Sequence, residues 1–584
     1  MTELQRSVLA ISSLLFLLLG ALVLITTGDV AEKAPVVQSR LSFKASSAYD
    51  KAVTLATEFP QRGMGTEDGF KAAEWLQAQM KKAKLRTEVQ TFSAWIAGKR
   101  VNGQNIVGTH DGMRSGTIVL IAHYDIPYHV REGAMDNASG VGVLLELASV
   151  FAGEEQKRTL VFVASDGEDW GMLGARHFVD AYPNIEEIVA VISLDYVRLE
   201  NPEKVYVRGE GQFRGYAPLW LWMLAEDCIA KVGGTPESPS PVMRYVSRAV
   251  NISSTDQGPF LSRGIPGINL GGNKSDSPLA RRIYHTPLDV SENLKPELFE
   301  IYGRAAEQLV RSVDAMDYPM NSDSYYLRVG ERNYIGRGGL LALQAMLFIP
   351  LFLATSFEYY NLRKRERLLN QVLAELANMV LFLLPWLAGL LSLYMLVRAN
   401  VIPRYELYPA TPLDPFLSDV RWSALAVVAA VIAVVWTAVT LLRRKWSLWG
   451  KPDFSASRAL CLDFLLTISV IALLLDGFAA SLFLGPAALM WVWIEQDSRL
   501  WRRALNFVFA LAGAAPLLML VFMFSKQLTL GIYVMWYLVL GTAYKSFSVP
   551  TVLTTVGAAT VVGRLLQKSL TPPQPGPEPE TETE

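Results

Sequence analysis

Apolar and polar positions divide this chain into two unlike halves. Between about residues 45 and 335 apolar residues recur in short runs and amphipathic stretches, and from 338 to 567 they form long runs. In the first half a helical period covers 47–59 and 68–83, followed by strand-like alternation over 86–92. Strand and helix patterns then alternate: strand 117–122, helix 138–151, strand 159–164, helix 171–182 and strand 188–194. Further helices are expected at 219–232 and 296–316, with a late strand at 267–270. Nearly continuous apolar strands between amphipathic helices predict one α/β domain with a mainly parallel, mixed sheet covered by helices on both faces.

The second half predicts an all-α, multi-span membrane bundle. Its apolar runs fall near 338–356, 374–397, 422–442, 459–475, 478–494, 505–524, 528–544 and 549–563, most of them close to the roughly 20 residues that cross a bilayer. Another apolar run, Leu9 to Thr26, follows Arg6. It reads as a retained signal anchor or a cleaved signal peptide, and no small-x-small cleavage site follows at Thr27-Gly28-Asp29. With the anchor counted, eight or nine spans are expected. Basic residues gather at Arg363-Lys364-Arg365 and Arg367, at Arg443-Arg444-Lys445, and at Arg499, Arg502 and Arg503, whereas 398–421 carries only scattered ones. This asymmetry puts the basic loops and the N-terminus in the cytoplasm and the α/β domain outside it, in a periplasm or organelle lumen. The expected layout is a cytoplasmic end (1–7), an anchor (8–27), a stalk (28–45), the α/β domain (46–320), the bundle (338–567) and a Pro- and Glu-rich tail (569–584) expected to be disordered. Asp463 and Asp476 lie in or beside predicted spans, and Asp476-Gly477 reads most simply as a turn between two of them.

Charge and cysteine content narrow the function. A net charge of −1 argues against a nucleic-acid partner, and two cysteines, Cys228 and Cys461, in unlike halves imply no disulfide framework.

The candidate chemistry lies at strand ends. His123 closes one apolar run, Glu168 and Asp169 follow a second, and Asp195 ends a third. A shared parallel sheet brings all three to its carboxyl edge, where ligands collect. Asp136 lies in Gly133-Ala134-Met135-Asp136-Asn137-Ala138-Ser139-Gly140, and His285 in Tyr284-His285-Thr286-Pro287-Leu288-Asp289. Taken singly, Asp136 reads as a helix cap and Glu168-Asp169 as a solvated turn. Together they supply imidazole and carboxylate ligands for two divalent ions, with one carboxylate to spare. Asp136 is the natural bridge, Asp169 the better ligand and Glu168 the better general base, having the longer reach. Asp125, two residues beyond His123, is placed to fix that imidazole. The remaining histidines, His110, His129 and His177, have no comparable setting, although His129 is close to the site loop.

These segments, with Glu168-Asp169-Trp170-Gly171-Met172-Leu173-Gly174-Ala175 and Ser193-Leu194-Asp195, resemble the motifs of the co-catalytic zinc aminopeptidase family. That family also contains glutamate carboxypeptidases, glutaminyl cyclases and the inactive transferrin receptor. The segment Ser254 to Phe260 is similar to a family stretch beside the substrate pocket, and the resemblance covers about residues 45 to 316. The layout as a whole resembles the multi-pass metallopeptidases of endoplasmic-reticulum and vacuolar membranes. The resemblance implies one Zn2+ on His123, Asp136 and Asp195, a second on Asp136, Asp169 and His285, and Glu168 as general base. It also implies a peptide substrate, cut near its free amino end by a bridging hydroxide. Asp169 departs from the family, which has Glu there, and one methylene less shortens the reach by about 1.5 Å. A one-zinc glutaminyl cyclase and an inactive, peptidase-like binding ectodomain are the alternatives.

Overall fold

The computed structural model describes the chain apart from residues 1–2, 27–28, 32–33, 274–276, 318–322, 364–367, 407–419, 446–451, 528–530 and 572–584. The basic residues Lys364, Arg365 and Arg367 and the tail from 572 therefore lie outside the described residues, as do Thr27-Gly28 of the expected cleavage region. The strands in chain order are β1 (Asp29–Val30), β2 (Arg86–Ile96), β3 (Lys99–His110), β4 (Thr117–His123), β5 (Thr159–Ser165), β6 (Ile188–Leu194), β7 (Lys204–Arg208), β8 (Thr235–Glu237), β9 (Gly267–Gly271), β10 (Leu327–Arg328) and β11 (Asn333–Ile335).

Eight of these form one mixed sheet in the order β2-β3-β5-β4-β6-β9-β7-β8, whose middle, β5-β4-β6-β9, is parallel. The continuous apolar run of β4 has its reason in this position. Ile118, Leu120 and Ala122 enter the larger core, while Val119 and Ile121 pack into a second core on the opposite face. A strand covered on both sides has no solvent face to keep polar. The helices Ala45–Glu58, Gly140–Phe151 and Glu300–Ala315 contribute to the larger core, and Leu173–Ala181 with Gln257–Ser262 to the smaller.

Pattern alone misses the polar outer elements. β3 reads KRVNGQNIVGTH, and its glycines and asparagines hide a strand that pairs with β2 from Lys99 to Thr109. Gly103 is required there, because a Cβ would sit 2.7 Å from both Met64 and the Phe92 ring. The short strands β7 and β8 and the helix Pro241–Val250, capped by Ser240, also lie beyond the expected set.

Six helices among the described residues are long and apolar enough to cross a bilayer: Arg337–Leu362, Leu369–Arg398, Trp422–Leu442, Phe454–Leu475, Leu500–Lys526 and Val549–Ser569. The run expected at 478–494 forms the shorter helix Gly477–Trp493, and of the run expected at 528–544, whose residues 528–530 lie outside the described residues, Val534–Ala543 is helical. The first contains a wider, π-type turn at Ala480–Leu484 ahead of Pro486. The N-terminal run is helical over Glu3–Thr26, and its Leu9 is buried in the bundle core with Phe348 and Leu351. Just beyond, β1 pairs with β11, so the chain leaves the bundle and re-enters it side by side. Asp476 caps the next helix, accepting from the Phe478 and Ala479 amides, as a turn between spans should.

Polar contacts separate the two ends of the bundle. At one end Arg6 pairs with Glu495 at 2.9 Å, Gln496 donates to the Thr571 carbonyl, and Lys568 donates to the Pro452 carbonyl. At the other, the α/β domain is seated on the helices. The Gly98 amide donates to the Arg404 carbonyl, Glu406 N donates to the Trp95 carbonyl, and Asn251 donates to Asp476 at 3.0 Å.

Two buried ion pairs tie the bundle together. Arg458 pairs with Glu358, and Arg564 donates twice to Glu375 Oε1 and once to its Oε2 at 2.7–2.9 Å, while Ser457 donates to the same carboxylate. An unpaired charge there costs about 3–5 kcal/mol, whereas replacing both partners by apolar groups is often neutral. Glu375→Leu should therefore lower the thermal transition of the full chain, and adding Arg564→Met should recover most of the loss. An unchanged transition in the single variant would contradict this role.

Candidate metal centre

Three adjacent parallel strands, β5, β4 and β6, end at one edge, which places Glu168-Asp169, His123 and Asp195 side by side. The loop around Asp136 reaches them from the start of the helix Gly140–Phe151, and each of its residues has a definable task. Asn137 Nδ2 donates to the Leu194 carbonyl at 3.0 Å, and its Oδ1 accepts the Gly140 amide. Ser139 Oγ accepts from Val197 N and donates to the Met135 carbonyl. Gly133 has a left-handed φ of 52°, and a Cβ there would lie 2.3 Å from Ile126. The Asp136–Asn137 peptide bond is cis. His285, also left-handed at φ 53°, follows the short helix Pro278–Ile283 and closes over the edge.

All the expected site residues converge. His123 Nε2 lies 3.4 Å from Asp136 Oδ1 and 3.9 Å from Glu168 Oε2. His285 Nε2 lies 3.0 Å from Asp136 Oδ2 and 3.1 Å from Asp169 Oδ1. Asp136 thus faces one imidazole with each oxygen. Ligand atoms of His123, Asp136 and Asp195 lie within 4.8 Å of one another, and so do those of His123, Glu168 and Asp169. Asp125 Oδ1 is 3.6 Å from His123 Nδ1 and also accepts the Glu168 amide at 3.0 Å. The carboxylate therefore holds the Glu168 loop, while the imidazole meets the backbone carbonyl of Asp125, 3.3 Å from His123 Nδ1.

Several supports were not singled out by sequence. Asp289 accepts the Met135 and Asp136 amides at 2.7 and 3.0 Å. Arg62 is fully buried and donates to the carbonyls of Tyr124, Glu132 and Gly133. Tyr302 donates to the Asp195 carbonyl at 2.8 Å. Asp256, inside the segment expected near the pocket, accepts from Ser165 at 2.5 Å. Arg62 and Tyr302 lie far from any motif, and no local pattern marks them. Asp289 could have been read from its motif, four residues past His285. His129 Nε2 lies 3.0 Å from the His285 carbonyl, while His110 and His177 engage Glu154 and Phe92 away from the site.

The electrostatics call for a cation. Burial holds the carboxyls of Glu168 and Asp169 above their usual range and pushes Asp195 up to about 6 and Asp256 up to about 7. Burial also opposes charge on Asp136, yet hydrogen bonds from His123 and His285 hold it well below the ordinary value. Burial would lower His285, but Asp169 and Asp136 outweigh it and push it up to about 9. One oxygen each of Asp125, Asp169 and Asp256 is buried without a hydrogen-bond partner. Such a concentration of anionic oxygen is matched by divalent ions better than by protons, and the mixed imidazole and carboxylate donors suit zinc.

Comparisons with known proteins point the same way. The profile of Peptidase family M28 matches residues 105–310. A probable zinc metalloprotease of Pyrenophora tritici-repentis is 34% identical over 24% of this chain and 36% of its own length. The aminopeptidase YwaD of Bacillus subtilis is 26% identical over 49% of this chain and 60% of its own. The chain thus spans less than two thirds of either relative. Among solved structures, a zinc aminopeptidase from Bacillus subtilis aligns with 47% of this chain and 96% of its own, at 18% identity and a TM-score of 0.39. Residues 105–310, which hold all the expected site residues, match Peptidase family M28, and the α/β half has the co-catalytic zinc exopeptidase fold.

Proposed function

We propose that this protein is a membrane-anchored zinc metallopeptidase that hydrolyses peptide bonds next to the free amino end of its substrate. The observation that carries the reading is the convergence of His123, Asp136, Asp169, Asp195 and His285 beside the unshared carboxylate of Glu168. His123, Asp136 and Asp195 would hold one zinc, and Asp136, Asp169 and His285 the other. The 3.1 Å approach of Asp169 to His285 supports its place in this set despite the shorter side chain. When bound, zinc supplies Lewis acidity, polarising the scissile carbonyl and acidifying water. Glu168 takes the proton from the attacking water and delivers it to the leaving amine. Its nearly buried carboxyl, held above the usual range by burial, suits a group that must both accept and return a proton. Asp125 positions Glu168 by accepting its amide, and Asp289 holds the Asp136 loop through two backbone amides.

The orientation follows from the two ends of the bundle. Arg6, the 494–499 loop and Lys568 share the end that carries the basic residues, so they face the cytoplasm, and the α/β domain faces outward. Because Gly477–Trp493 runs from Asp476, at the domain, to Glu495, beside Arg6, it crosses the membrane despite its length. With the N-terminal helix and the six long ones this makes eight crossings, and Val534–Ala543 stays at the outer face.

Purified full-length protein should release the first residue from unblocked peptides and leave N-terminal glutaminyl peptides uncyclised. Glu168→Gln should lower kcat about 10²- to 10⁴-fold while zinc content stays unchanged. Activity surviving that substitution, or cyclisation without hydrolysis, would overturn the reading. Asp289→Ala should weaken zinc affinity about 10- to 100-fold, measured by chelator competition. An unaltered affinity would remove Asp289 from the account.

A further inference from the structure

A cleft of about 290 Å³ opens on Glu168, Asp169, Asp195 and His285, and only part of its lining comes from the peptidase domain. The helix Leu500–Lys526 contributes Leu520, Met523 and Phe524, the short helix Val534–Ala543 contributes Tyr537, and the turn after it contributes Phe547. These are apolar or aromatic side chains, set in the same cleft as the charged catalytic groups. The wall is built with some care. Gly541 also lines the cleft, and a Cβ at that position would fall 2.6 Å from the Phe547 ring, so the missing side chain is what seats the ring there. Met523, Phe524 and Phe547 are only partly buried, which leaves surface for a ligand to cover.

A second contact joins the same helices to the catalytic loop. Trp170 follows Glu168-Asp169 directly and is 5% exposed. Its ring lies 4.8 Å from Tyr128 in the domain and 6.3 Å from Tyr405 in the membrane half. Trp170 shares one apolar cluster with Val534, Tyr537 and Leu540, and Phe524 packs against it. The catalytic loop and the Phe524 side of the apolar wall are therefore held against each other by one packed unit.

We infer that the membrane half is part of the substrate cleft: Met523, Phe524 and Phe547 form a specificity wall that receives a large apolar side chain flanking the scissile bond. This rests on the peptidase reading. A peptide is the occupant that fits both ends, with its backbone at the carboxylate and imidazole pole and an apolar side chain against the wall. Clefts at domain interfaces commonly combine such surfaces. Burying one further hydrocarbon group in such a pocket discriminates by about 10- to 200-fold.

The test uses the full chain in lipid nanodiscs and three peptides, Leu-Ala-Ala-Ala, Ala-Leu-Ala-Ala and Ala-Ala-Ala-Ala. Hydrolysis is followed directly, and binding of C-terminally labelled copies is followed in a Glu168→Gln background. Phe524→Ala and Phe547→Ala should lower the preference for the better leucine peptide about tenfold or more, mainly through KM and binding. The all-alanine peptide should stay within about twofold. Gly541→Ala, which displaces the Phe547 ring, should act in the same direction. The milder Phe524→Leu and Phe547→Leu serve if an alanine variant loses its thermal transition or its zinc. Equal losses for all three peptides, or no loss for any, would overturn the wall. Absent hydrolysis with a binding preference that falls in the variants would remove the peptidase reading and leave the wall standing.

Discussion

Burying anionic oxygen at one edge of a parallel sheet is the constraint around which this structure is organised. Asp125, Asp136, Asp169, Asp195 and Asp256 are all buried within a small region, with Glu168 at its margin. Carboxylates in that setting are tolerated only when hydrogen bonds, opposite charge or metal ions answer them. The fold provides the first two through backbone amides on Asp125, Asp195 and Asp289, and through two imidazoles on Asp136. The unanswered oxygens of Asp125, Asp169 and Asp256 mark where those provisions stop.

Seen this way, the sheet order is part of the chemistry. Strands β5, β4 and β6 carry their site residues to one edge because they are parallel and adjacent, and burial on both faces keeps them apolar. The Asp136 loop is held from three directions, by Asn137 on the end of β6, by Asp289, and by Arg62 on the neighbouring carbonyls. The membrane half supports the neighbouring Glu168-Asp169 loop, which it reaches through Trp170.

Much of this was legible in the sequence, for a physical reason. Central strands and their capping ligands are local features, so β4, β5 and β6 and the residues ending them could be read within one or two positions. β3 was not, since its glycines and asparagines satisfy close packing and hydrogen bonds rather than a two-residue period. Arg62, Tyr302 and the cleft wall were also out of reach, because their roles arise from contacts between distant segments. In the membrane half the long runs were readable. The broken helix inside the run at 478–494 and the shorter helix Val534–Ala543 were not, since a broken or shortened helix has the same apolar composition as a full span.

The measurement that bears most directly on the central claim is zinc stoichiometry of the purified full-length chain, titrated alongside peptide hydrolysis after chelation. The account predicts two ions per chain at saturation, with activity lost on chelation and restored as the site refills. Hydrolysis that continues in the chelated protein, or a chain that takes up no zinc, would contradict it.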